Sequence, residues 1–367
     1  MLFKNRLSIT ADLYQRTTRD MIGPAESIPS ISGIASEDRA KVNNATLRNR
    51  GWELSVSWND KLKCGFSYGV GFNVFNYKAV VTKYNNPEGI IYNNHTGLAA
   101  NKGYYEGMDL GEIWGYRADD LFLSNREIDD YLRKVDLTAF KSNDLWRRGD
   151  LKYIDTNGDG RVDGGKGTLS DHGDLQVIGN TTPKYSFGIN LNLGYKGFEV
   201  STLLQGVAKR DFPIAGSSYM FGGNNYNFKE HLDYFSTENP NGYLPRLTGW
   251  KDDKDFLVNT GYNTTRYLLN AAYMRMKNLT VAYTFNKKQL KHIGISNLKV
   301  YVTCDNLFTI TKLPKQFDPE TLNQVNMSAG GDAKNTAPGL TSPMKQNGNG
   351  MVYPMNRNFV FGLDFTF

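Results

Sequence analysis

The sequence predicts an all-β chain, an antiparallel transmembrane β-barrel segment, and three observations carry that expectation. Stretch after stretch alternates one large apolar residue with one small or polar residue, the period of a strand with two unlike faces. Short turns and long irregular stretches succeed one another strictly along the chain. The composition supplies the side chains of such a wall, with 22 Tyr, 20 Phe and 37 Gly in 367 residues, and the mean hydropathy is −0.51. No apolar run approaches the roughly 18 residues of a transmembrane helix, whereas a barrel strand meets lipid with only every second residue.

The last strand shows the pattern most clearly. Phe359, Phe361, Leu363, Phe365 and Phe367 alternate with Asn358, Val360, Gly362, Asp364 and Thr366, and an aromatic C-terminus on a half-apolar strand is typical of bacterial outer-membrane barrels. From the beginning of the chain, Leu7, Ile9, Ala11 and Leu13 alternate with Ser8, Thr10, Asp12 and Tyr14. Asp12 would be costly in hydrocarbon and cheap in a wet lumen. Residues 20–46 read as a loop around Gly23-Pro24 and Asn43-Asn44. Trp52, Leu54, Val56 and Trp58 form the next apolar stripe, with tryptophans placed as an aromatic girdle requires. After a turn at 59–61 the stripe Cys64, Phe66, Tyr68, Val70, Phe72, Val74 completes a hairpin.

Residues 79–183 break the rhythm. They hold a helix candidate at 124–135, opened by a Ser124/Glu127 capping box, with Ile128, Tyr131, Leu132 and Val135 on one face. The alternation returns in a hairpin across Lys196-Gly197, from Tyr185 to Leu193 and from Phe198 to Leu204. An irregular stretch at 209–270 follows. Two more strands, centred on Leu279-Val281-Tyr283-Phe285 and Leu298-Val300-Val302-Cys304, flank a turn at 286–297, and a long loop at 310–355 precedes the final strand.

This makes about eight strands, with short connections at one end and long ones at the other. Outer-membrane barrels sort their periplasmic turns and extracellular loops in this way; a soluble sandwich has no reason to. If the C-terminus is periplasmic, strand 64–75 runs outward and strand 185–195 inward. Residues 79–183 must then add an even number of spanning strands or none, and 108–122 should lie in the extracellular region or over the lumen.

The net charge of +6 comes from 43 basic and 37 acidic residues without a basic block, which gives nucleic-acid binding little support. Cys64 and Cys304 fit no metal spacing and read as packing residues. His95, His172, His231 and His292 are scattered, and there is no Gly-x-Ser-x-Gly elbow or phosphate-binding loop, so no enzyme is expected. One site is spelled out. Asp155-Thr156-Asn157-Gly158-Asp159-Gly160-Arg161-Val162-Asp163 has the spacing of a calcium loop. Asp155, Asn157, Asp159 and Asp163 offer side-chain oxygens at positions 1, 3, 5 and 9, Arg161 offers a backbone carbonyl at 7, and Gly160 makes the turn at 6. Position 12 is Lys166 rather than Glu, with Asp171 the nearby substitute. A Gly/Asp-rich loop without an ion is the plainer alternative.

Taken together, several stretches resemble the SusC/RagA family of TonB-dependent outer-membrane transporters. They include Leu47-Arg48-Asn49-Arg50-Gly51-Trp52-Glu53-Leu54, Trp114-Gly115-Tyr116, Gly149-Asp150-Leu151-Lys152-Tyr153-Ile154-Asp155 and Gly179-Asn180-Thr181-Thr182-Pro183-Lys184-Tyr185. Further on come Glu238-Asn239-Pro240, Tyr273-Met274-Arg275-Met276-Lys277-Asn278-Leu279, Asp305-Asn306-Leu307-Phe308 and Phe317-Asp318-Pro319-Glu320. The resemblance implies that residues 1–367 are the C-terminal part of a plugged barrel of about 22 strands, without the signal peptide, TonB-contacting segment and plug. It implies a place in the outer membrane of a Bacteroidetes-type Gram-negative bacterium, in contact with the lipid bilayer. It also implies uptake of oligosaccharides or peptides, driven by TonB-ExbB-ExbD and lidded by a SusD-like surface lipoprotein. Within the calcium loop it points to Asp174 as the family-equivalent last carboxylate, residues 164–171 looking like an insertion. Trp114, Tyr116, Tyr219, Phe221, Tyr226 and Trp250 lie in long loops, where they are expected to contact a glycan or the lid, or simply to pack. Two other functions fit the same strands: a non-transporting surface glycan-binding protein with calcium-stiffened loops, and a soluble β-sandwich that binds glycans.

Overall fold

The computed structural model describes residues 3–23, 42–91, 104–118, 120–215, 220, 229–248, 255, 257–286, 290, 294–322 and 354–366. In chain order the elements are β1 Leu7–Gly23, β2 Val42–Lys61, β3 Ser67–Lys83, β4 Glu112–Gly115, β5 Asp120–Leu121, α1 Asn125–Leu132, β6 Leu151–Lys152 and β7 Gln176–Asn180. Then follow β8 Lys184–Tyr195, β9 Phe198–Lys209, β10 Asp211–Pro213, β11 Leu268–Asn270, β12 Tyr273–Thr284, β13 Asn297–Asp305, β14 Thr309–Thr311 and β15 Asn358–Thr366.

Eight of these strands form one antiparallel wall in the order β1-β2-β3-β8-β9-β12-β13-β15, with β14 paired to the first residues of β12. The wall is open: β1 and β15 are its two edges. Strand β3 pairs directly with β8, from Ser67↔Gly194 to Phe75↔Ser186. Among the described residues the stretch between them adds no wall strand, which resolves the parity argument to none, and β4 falls outside the wall.

The two faces of the wall differ as the alternation requires. One carries rows such as Val200–Val281–Val302–Phe361 and Ile9–Val56–Phe72–Ile189. Its side chains are bare: Leu13 is 89 % and Phe361 77 % exposed. All eight strands belong to one sheet, so their apolar stripes do not meet across a sandwich interior. A single bare apolar face is what hydrocarbon solvates. The opposite face carries Ser8↔Ser57, Thr10↔Ser55, Asp12↔Glu53, Gly71↔Asn190 and Thr280↔Thr303, the surface of a wet lumen. There Tyr14 lies over Gly51 and Tyr301 over Gly362, so closely that a β-carbon on either glycine would strike the ring.

On β1–β3 the lipid band has a visible upper border. The outward stripe of β2 runs from Trp58 to Trp52 and then turns to Arg50, whose Nε donates to Gln15 Oε1 at 2.5 Å. Strands β1, β2 and β3 continue well past that border, with 17, 20 and 17 residues. Bilayer crossing takes about 9–11 residues. The expected loop at 20–46 is therefore shorter, because β1 reaches Gly23 and β2 begins at Val42. Above the lipid both faces are wet, so alternation no longer marks the strand. A second correction concerns Cys64 and Phe66. They sit in the turn between β2 and β3, where Leu62 N donates to Phe66 O and Gly65 has φ 86°. The Lys196-Gly197 turn is as expected: both residues have positive φ, 46° and 94°, the twist of a two-residue hairpin.

Candidate functional site: a cap on the strand ends

The long connections gather at one end of the wall and share one apolar core. Phe122, Leu137, Tyr153, Ile214 and Tyr267 are essentially shielded from solvent, and residues from 81–175, 212–220, 235–271 and 313–322 contribute to the same cluster. Small ladders frame it: β4 with β7, β5 with β6, and β10 with β11. Helix α1 is shorter than the expected 124–135 and buries Ile128. Ser124 Oγ accepts from Glu127 N at 3.1 Å. Glu127 reaches back to Leu123 N at 2.9 Å, one residue before the usual capping-box partner, and its other oxygen accepts from Lys152 Nζ at 2.9 Å.

Trp114 and Tyr116 belong to this core, 8 % and 4 % exposed. Tyr116 stands edge-on to Phe140, Tyr153 and Tyr262, at 5.1, 5.6 and 5.7 Å between ring centres. Both side chains are packed in this core, the plainer of the two uses their place in the long loops leaves open. Tyr219, Phe221, Tyr226 and Trp250 lie outside the described residues.

At the centre of the cap is a charge knot that sequence spacing did not reveal. Lys141 Nζ, fully buried, donates to Asp150 Oδ2 at 2.7 Å and Asp255 Oδ1 at 2.5 Å. Arg246 Nε donates to Asp150 Oδ1 at 2.6 Å, and its Nη2 pairs with Asp255 Oδ2. Asn259 Nδ2 donates to Asp150 Oδ1 at 2.9 Å while its Oδ1 accepts from Leu151 N. Two cations meet two anions, so the knot is neutral, and it ties segment 141–151 to segment 246–259. Burial alone would raise the Asp255 carboxyl, but the bonds from Lys141 and Arg246 hold it below the ordinary carboxylate range.

A second clamp joins two stretches that carried the family resemblance. Arg275 donates to Asp318 at 2.7 Å and pairs with Glu320 at 3.1 Å, and Lys277 pairs with Glu320 at 2.8 Å. Arg210 donates to the carbonyls of Thr181, Pro319 and Leu322 at 3.1–3.3 Å. Segment 317–322 is thereby fastened to the top of β12.

The aspartate loop folds as a chain of side-chain caps. Asp155 accepts from Gly158 N at 2.6 Å and Gly160 N at 2.9 Å, and Asn157 from Asp159 N at 2.9 Å. Asp159 accepts from Arg161 N at 2.9 Å, and Asp163 from Gly165 N at 2.7 Å. Asp174, 1 % exposed, closes the ring: Oδ1 accepts from Thr156 N at 2.6 Å and Oδ2 from Asp163 N at 3.0 Å. Asp171 stays out and pairs with Lys166 at 3.7 Å. Val162 is fully buried as the loop's anchor. Among the described residues no three His, Cys, Asp or Glu side chains already converge as a metal site. The donors are nevertheless hard oxygens of the type calcium takes. Asp174 is a buried carboxylate whose bonds come from neutral amides and a hydroxyl, with no cationic side chain paired to it among the described residues.

Of the histidines, His172 lies beside Trp114, 5.6 Å between ring centres, and His231 is buried, far from it in sequence. His95 and His292 lie outside the described residues.

No family model matches the sequence. Over its full length the chain is similar to TonB-dependent receptor P3 of Formosa agariphila, at 26 % identity over 369 residues. It is also similar to TonB-dependent receptor P39 of the same organism, at 24 % over 407 residues. It spans about a third of each relative, 33 % and 34 %. Among solved structures the RagAB peptide transporter aligns with the whole chain at a TM-score of 0.62 and 21 % identity, over 34 % of its own length. That likeness is one of fold.

Proposed function

We propose that this chain, similar over its full length to TonB-dependent receptors, supplies wall strands and much of the extracellular cap of an outer-membrane nutrient importer. One observation carries the proposal. Eight lipid-facing strands leave two edges open, and the connections at one end are built into a rigid cap rather than trimmed to turns. An open edge in lipid leaves backbone groups unpaired, so the wall needs further strands from the rest of the receptor. The transported compound is an oligosaccharide or a peptide; the structural neighbour, a peptide transporter, favours the peptide. A SusD-like surface lipoprotein seats on the cap, and TonB-ExbB-ExbD acts through the part of the receptor outside this chain.

The test is growth and labelled uptake on a panel of peptides and glycans, with and without the gene. Loss of uptake for one class is expected. Unchanged uptake on every member would overturn the importer and favour the surface-binding alternative.

Calcium is the second part of the proposal. Asp155, Asn157, Asp159 and Asp174, with the Arg161 carbonyl and a water on Asp163, would hold the ion, and the ion would stiffen the cap. Support comes from the loop spacing and from the cation-free burial of Asp174. Chelation should speed protease cleavage within 155–174 in the wild type and leave a D155N/D159N variant unaffected. Equal cleavage with and without chelator would remove the ion from the account.

A further inference from the structure

The lipid-facing side of the wall is not uniformly rough. On β13 the outward residues Val300 and Val302 are short. Val300 lies between the longer Tyr283 and Leu363, and Val302 between Val281 and Phe361. The result is a groove of about 560 Å³ along β13, floored by Val281, Val300 and Val302 and walled by Phe198, Tyr283, Phe361 and Leu363. Outward positions on β13 continue from Leu298 to Cys304, six steps or roughly 20 Å of strand. At the usual tilt of about 35–45° this is roughly 15 Å of membrane depth, about one leaflet of a ~30 Å hydrocarbon core.

Beyond Phe198, toward the short turns, the outer face of the wall carries further aromatics and, at the β8–β9 turn, a cation. Tyr195 pairs in register with Phe198, and Phe198 with Tyr283. The Phe198 and Tyr283 ring centres are 4.5 Å apart, and Tyr283 is 4.9 Å from Phe285. Lys196, exposed at the β8–β9 turn, holds its Nζ 5.1 Å from the centre of the Tyr195 ring. An ammonium held over an outward aromatic at the membrane border is placed for a phosphate. Short turns are periplasmic in outer-membrane barrels, so the leaflet at this end is the phospholipid leaflet.

We propose that this groove seats one phospholipid of the periplasmic leaflet, an acyl chain lying along Val300 and Val302 and its headgroup phosphate at Lys196. The proposal rests on the wall's place in the outer membrane and is independent of what the receptor imports. The full-length receptor, purified from its own membranes in mild detergent, is tested by native mass spectrometry. A population retaining one phospholipid is expected. V300F/V302F, which fills the floor, should lower that population roughly tenfold, and K196Q by a smaller factor. The same aromatic pair on the outer face of β8, I189F/L191F, should change nothing. The heat-dependent electrophoretic shift reports whether each barrel is folded. If V300F/V302F does not fold, F361A/L363A removes a groove wall instead and should also lose the lipid. Three results would overturn the proposal: no retained phospholipid in the wild type, lipid A in its place, or equal retention by a folded groove variant.

Discussion

The wall and the cap are made from the same kinds of residue and put them to opposite uses. In the wall, Phe361 and Leu13 stand bare on one face, and stability comes from backbone ladders and cross-strand rows. In the cap, Phe122, Tyr153 and Tyr267 are sealed inside, as in a soluble domain, around a buried charge knot. The difference follows from the solvent. Hydrocarbon rewards exposed apolar side chains and requires every backbone group to be paired. Water rewards a dry core and lets irregular backbone survive at the surface. One chain meets both demands by changing its period where it leaves the membrane.

The sharpest way to separate the regions is to break the knot. K141M leaves Asp150 and Asp255 with one cation between them in a buried site, at a cost of about 3–5 kcal/mol. The cap should become protease-sensitive while the electrophoretic heat shift of the barrel is retained; loss of both together would show that wall and cap are a single cooperative unit. A charge on the wall tests the lipid face next. I189R, on the outward face well inside the Tyr195 border, should cost about 2–4 kcal/mol near the bilayer midplane, measured by denaturant titration in bilayers, whereas N190R on the lumen face should be close to neutral. Equal effects would erase the distinction between the faces. Smaller again, S124A should remove about 1 kcal/mol from the cap alone, seen as faster amide exchange around α1. The least effect is expected from acid. Because the folded Asp255 carboxyl sits below its ordinary value, its stabilisation is complete above pH about 4. It is lost as the pH falls through the depressed value. Protease sensitivity of the cap should rise there, and an acid profile unchanged by D255N would assign the loosening to other carboxylates.

How much of this was visible in the sequence follows the same division. Wall strands announce themselves because lipid and lumen impose a strict period of two, and every stripe from Leu7 to Phe365 except the Cys64–Phe66 start and the Phe285 end lies on a strand as expected. Strand ends above the lipid were missed because Arg48, Arg50 and Lys78 replace apolar residues on the outward face while the ladder continues. The cap was legible only in pieces. The Ser124 cap and the aspartate loop are local patterns, and local patterns can be read. The knot joins Lys141 to Asp255, 114 positions away, and nothing in either neighbourhood names the other. Asp174 was named only through the resemblance, because Lys166 stands where spacing alone puts the last carboxylate; its bond to Thr156 N is seen only in the fold.

The direct pairing of β3 with β8 has a topological consequence. The chain departs from the wall at Lys83 and rejoins it at Lys184 on the adjacent track, and in between it is fastened to the rest of the cap by Lys141–Asp255, Arg246–Asp150 and Tyr153–Val258. A change in the length of such an excursion leaves the β3–β8 ladder below it in place. The cap can thus be remodelled over an inherited wall.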